Sequence, residues 1–84
     1  MSSDHGSPYD NLVRMANQIA DFFSSYPEAE GLDGVLNHIK KFWDPRMRRK
    51  IYAHLDDGGA GLKPLALKAL QQLAEQQPNL RKSA

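Results

Sequence analysis

The chain has 84 residues and no cysteine; one small domain leaves little room for an enclosed active site, and disulfides, thiolate metal sites, iron–sulfur ligation and cysteine nucleophiles are excluded. Hydrophobic and charged contents of 40% and 25% are globular, and the first ten residues lack the basic start and apolar run of a secretion signal. No stretch approaches the roughly 18 apolar residues of a membrane span, so the expectation is a cytoplasmic protein with no membrane contact, whose redox chemistry, if any, belongs to a partner.

Residues 1–6 are polar, small and aperiodic, as in a loose tail. Ser7 and Pro8 predict a helix start, with the hydroxyl as cap, proline in the first turn and Asp10 near the electropositive end. Leu12, Met15, Ala16, Ile19, Phe22 and Phe23 then fall on one side of a helix, and Arg14, Asn17, Gln18 and Asp21 on the other. Pro27 pushes the preceding residue out of helical geometry and ends this element. Residues 27–31 are an acidic connection, after which Asp33 caps a second helix with an inward stripe of Val35, Leu36, Ile39, Phe42 and Trp43. Asp44 and Pro45 close that helix and start a third around a sharp corner. In the third helix Met47, Ile51 and Leu55 face inward, and Arg46, Arg49 and Lys50 face out. The glycine-rich run 56–61 ends it. A fourth helix carries Leu62, Leu65, Ala66, Ala69, Leu70 and Leu73, with Pro64 tolerated in its first turn, and Gln77-Pro78 closes it. No segment alternates with the period of two that a half-buried strand requires, and no repeat is present.

The expected fold is therefore all-α, a bundle of about four short helices at 8–76 between flexible tails at 1–7 and 77–84. The apolar arcs of the first and fourth helices are broader than so small a core needs, which points to coverage by another protein.

Charge is unevenly distributed behind a net +1. Residues 1–39 hold six acids and one base, Arg14, for a net of −5, whereas 40–50 hold Lys40, Lys41, Arg46, Arg48, Arg49 and Lys50 against Asp44 alone, for +5. Such a division implies either attraction between helices or a polarised binding surface.

Three features are candidates for chemistry. Of the histidines, His5 lies in the tail, while His38 and His54 flank the apolar stripes of the second and third helices with no carboxylate or cysteine at ligand spacing, so a structural role outweighs a metal site. The run Gly58, Gly59, Ala60, Gly61 lacks the lysine-serine ending of a phosphate loop and follows a helix instead of a strand, which makes it a helix-ending turn. The basic segment 40–50 most resembles a functional surface, because arginine forks bind carboxylates and phosphates bidentately. Its other reading is a solvated face, with Phe42 and Trp43 completing the core. A nucleic-acid reader built on the third helix is the alternative function, opposed by the near-neutral total and the acidic first half.

The runs LVRMANQIADFF at 12–23 and HIKKFWDPRMR at 38–48, followed by HL at 54–55, GLKPL at 61–65 and AL at 69–70, resemble the delta subunit of soluble NAD-dependent, molybdenum-containing formate dehydrogenases. The matching blocks, in order, span about residues 12 to 73. The resemblance implies a noncatalytic small subunit of a complex that oxidises formate and reduces NAD. It places molybdopterin guanine dinucleotide and iron–sulfur clusters in the alpha subunit, and flavin (FMN) with further clusters in the beta and gamma subunits, leaving this chain without cofactor, metal or catalytic residue. Assembly, cofactor insertion or stability of the large subunit are the roles it suggests. On the physical side, Phe42, Trp43, Asp44, Arg46, Arg48, Arg49 and Lys50 are the expected contact set for an acidic surface of the alpha subunit, since Arg and Trp often dominate interface energy.

Overall fold

The computed structural model describes residues 9–82, which form five helices and, among those residues, no strand. The expected start at Ser7 and Pro8, the tail 1–7 and His5 lie outside the described residues. The first helix, α1, runs Asp10–Phe23 with Asp10 in its first turn, and it buries Leu12, Ala16 and Ala20, which recur every fourth residue along one face. Ser24 ends it, donating its hydroxyl to the Asp21 carbonyl at 2.8 Å.

The second helix, α2, spans Glu28–Phe42, with Pro27 as its N-cap residue and Glu28 and Glu30 in the first turn. This corrects the expectation that 27–31 connect and that Asp33 caps: Asp33 is an exposed residue inside the helix. Two glycines obscure the true start. They weaken the local helical signal, but they sit where α2 crosses the end of α1. A Cβ at Gly31 would lie 2.8 Å from the Phe23 carbonyl oxygen, and one at Gly34 would run into the Phe23 ring. The acids of the first turn complement the helix dipole and assist a start that glycine disfavours.

Trp43 turns the chain, its N–H still bonded to the Ile39 carbonyl at 2.9 Å, and Asp44 caps α3 (Pro45–Asp56) by accepting the Met47 N–H at 2.9 Å. The corner is as tight as Asp44-Pro45 predicts. Helix α3 ends in the glycine run, where Gly58, Gly59 and Gly61 have φ of 113°, 68° and 86°, values that side chains rarely adopt. Gly59 is buried as well, with its N–H bonded to the His54 carbonyl at 2.9 Å.

Helix α4 (Pro64–Gln76) buries Ala66, Ala69, Leu70, Leu73 and Ala74 and packs on α1, α2 and α3. Its apolar arc is thus consumed by the core. The polar face of α1 holds the loop before α4: Asn17 donates to the Gly61 carbonyl and accepts the Lys63 N–H, both at 2.9 Å, and Lys63 Nζ bridges Asp21 at 2.7 Å. A second exposed pair, Lys68 with Glu28, links α4 to the start of α2, and that bond and charge hold the Glu28 carboxyl below its usual range.

The chain does not become a loose tail at residue 77. Pro78–Lys82 form a short helix, α5, against α3 and α4, and Leu80 packs on the core. Its anchor is the fully buried Tyr52, whose hydroxyl donates to Gln77 Oε1 at 2.7 Å. Burial pushes the Tyr52 phenol up to about 12 from 10.0, against the opposing pull of the Arg48 charge.

Two predictions follow from this packing. Gly31→Ala gains helix propensity but meets a backbone carbonyl that no side-chain rotation can move, so a net loss of about 1–2 kcal/mol is expected in urea unfolding. A neutral or stabilising result would refute the close crossing. The raised phenol makes the Tyr52 contribution complete below pH 10 and lost as pH climbs towards 12. Tyr52→Phe is expected to be less stable near neutrality by about 1 kcal/mol and to flatten the alkaline loss, read as unfolding free energy against pH; an equal alkaline slope in both proteins would remove Tyr52 as its source.

Candidate functional site

The helical stripe of α1 is wider than its buried face, and the excess lines a groove. Met15, Gln18, Ile19, Phe22 and Phe23 from α1 face His38, Phe42 and Trp43 from α2, with Met47 of α3 at one end, around a volume of about 500 Å³. Phe22 and Phe42 stand out of the core with 69% and 67% of their surface exposed, although spacing alone places both on inward stripes. The direction around the helix is not the cause on α2, since at about 100° per residue Phe42 falls between the buried Gly31 and Val35; Phe42 is the last residue of α2. It stacks on His38, one turn earlier, at 4.7 Å between ring centroids. On α1, Phe22 meets Phe23 edge-on at 5.0 Å while Phe23 covers the α2 glycines.

The expected contact set divides when placed in the fold. Trp43 is only 4% exposed and belongs to the core, so the corner presents Phe42 without the indole. Asp44 is exposed, with Oδ1 committed to capping. Arg46 and Lys50 are exposed and Arg49 half-buried on the outer side of α3. Arg48 departs from that ridge because it precedes Ile51 and Tyr52 by three and four residues and so shares their core-facing side. It is half-buried, its Nε is shielded from water without a hydrogen-bond partner among the described residues, and its charge acts on Tyr52. The groove residues Met15, Gln18, Ile19, Phe22, His38 and Met47 were absent from the expected set. The over-wide arc of α1 was their signal.

Arg46 and Lys50 adjoin the groove, lining with Asn11, Leu12 and Asp44 a hollow that shares Met47 with it. Among the described residues, the ion pairs are Lys63 with Asp21 and Lys68 with Glu28; Lys40, Lys41, Arg46, Arg49 and Lys50 engage no carboxylate there. His54 is occupied elsewhere, donating from Nε2 to the Ala60 carbonyl at 2.7 Å and stacking on Tyr9 at 5.0 Å. No group of three His, Asp or Glu side chains able to hold a metal occurs among the described residues. No described helix is long and apolar enough to cross a membrane.

The division between core and surface is testable by unfolding. Phe22→Ser and Phe42→Ser are each expected to shift stability by no more than about 0.5 kcal/mol, whereas Trp43→Ala costs about 3–5 kcal/mol. Losses of equal size at the three positions would put the phenylalanines in the core.

No curated protein and no solved structure matches the chain. A family model does, the one described as NADH-dependant formate dehydrogenase delta subunit FdsD, over residues 11–70. That stretch contains the whole groove and the basic corner, and with most of its length matched the chain belongs to the FdsD family of formate dehydrogenase delta subunits.

Proposed function

We propose that this delta subunit is a noncatalytic accessory chain that binds the large molybdenum-carrying alpha subunit and supports its assembly, cofactor insertion or stability. The observation that carries the reading is the groove, an apolar surface with two projecting phenylalanines on a chain of a formate dehydrogenase family. Covering the exposed part of each ring removes on the order of 100 Å² of apolar area from water, about 2–3 kcal/mol per ring before the costs of association. A monomer gains nothing from leaving such rings in water, whereas a subunit interface does.

The division of labour follows from side-chain chemistry. Without cysteine the chain offers no thiolate to an iron–sulfur cluster. The groove wall, whose polar side chains are Gln18, His38 and the Trp43 indole, suits apolar protein side chains and not the charged diphosphate of a pterin dinucleotide. This fits what the family resemblance implies, that molybdopterin guanine dinucleotide, iron–sulfur clusters and FMN belong to the alpha, beta and gamma subunits. The chain's own contribution is to bind and to exclude water from the surface that it covers, in the cytoplasm where the complex works.

The test is retention by the large subunit. The combined substitution Arg46→Ala, Arg49→Ala, Lys50→Ala, with the fold checked by circular dichroism, is expected to reduce co-purification at low salt and further at moderate salt. Unchanged retention would remove the basic corner from the interface. The isolated chain mixed with formate and NAD is expected to give no NADH, and turnover without a partner would overturn the accessory role.

A further inference from the structure

We propose that the occupant of the groove is an amphipathic helix of the partner, with acidic side chains along the flank that lies beside Arg46 and Lys50. The inference rests on the accessory-subunit reading and names what the groove takes.

Its walls have helical spacing. Met15, Ile19 and Phe22 on α1 stand four and three residues apart, and His38 and Phe42 on α2 stand four apart, so the two walls are ridges between which the side-chain row of a third helix seats. Volume agrees, since about 500 Å³ holds several large side chains and not a whole domain face. The described residues contain no strand whose edge could pair with an extended segment. Met15 and Met47 supply unbranched, polarisable surface that adjusts to the incoming row.

Charge sets the chemistry of that helix. The groove runs at Met47 into the hollow lined by Arg46 and Lys50. The carboxylate beside them, Asp44, spends Oδ1 on the Met47 N–H, and neither cation engages a carboxylate among the described residues. Glutamate or aspartate on the flank of the incoming helix completes these charges. A second copy of this chain would do the reverse. A two-fold contact sets a patch against itself and would bring Arg46 and Lys50 towards the same cations.

The experiment reconstitutes the full chain with the alpha, beta and gamma subunits, using photo-reactive benzoylphenylalanine substituted for Phe22 or for Phe42. Both sites are expected to cross-link to one helical segment that bears acidic residues on a single flank. Phe22→Ser with Phe42→Ser is expected to weaken binding at least about tenfold. Arg46→Glu with Lys50→Glu should weaken it too, with recovery when the partner's acids are changed to lysine. Cross-links to another copy of this chain or to a non-helical segment, or undiminished binding by the double serine variant, would overturn the inference while leaving retention by the complex, and hence the accessory role, intact. A cross-linked acidic helix in the beta or gamma subunit with no retention by alpha would instead uphold the inference and overturn the assigned partner. Absence of binding to any of the three subunits would overturn both.

Discussion

The close crossing of α1 and α2 at Phe23 is the contact on which the arrangement of the surface depends. Gly31 lets the α2 backbone approach the Phe23 carbonyl, and Gly34 leaves room for the ring. With Phe23 spread over those glycines, the adjacent Phe22 meets its ring edge-on, and both line the groove. The same crossing leaves the middle of α1 and the end of α2 separated by a groove in place of a closed seam. Helix propensity is sacrificed at two positions, and the return is an approach that alanine would not permit.

Local chemistry made much of the fold legible. Asp44 and Pro45, the glycine run and Pro64 act through backbone geometry within a few residues, and each stands in the role that its type predicts. The start of α2 was hidden because its cause is not local: Gly31 and Gly34 resemble a linker until Phe23, from another helix, explains them. The last helix was hidden for a similar reason. Tyr52, twenty-five residues upstream of its bonding partner Gln77, ties the chain to α3 just before that helix, and nothing within 77–82 announces that contact.

The candidate site was half legible. Helical spacing identifies which residues share a side, but it does not apportion that side between the core and a partner. Trp43 and Phe42 are neighbours on one expected stripe and end on opposite sides of that division, the first buried and the second mostly in water. Arg48 fails in the opposite sense. Its place in a basic run suggested the surface, whereas its spacing from Ile51 and Tyr52 already pointed inward. Where composition and spacing disagree on a short helix, spacing is the better guide, because the packing of the helix fixes direction and charge does not.

The uneven charge resolves along the same lines. If the acidic first half and the basic segment 40–50 attracted one another, ion pairs would join them. The pairs present among the described residues join the acidic half to α4 instead, through Lys63 with Asp21 and Lys68 with Glu28. Exposed pairs of this kind contribute little to stability, so their importance here lies in which charges they engage. Lys63, just before α4, serves α1, Lys68 of α4 serves the start of α2, and the cations at the corner of α2 and α3 remain beside the exposed phenylalanines. Apolar surface without a cover and cations that engage no carboxylate among the described residues thus meet at Met47. A folded monomer has no use for either, and a subunit whose surface is finished by a neighbour has a use for both.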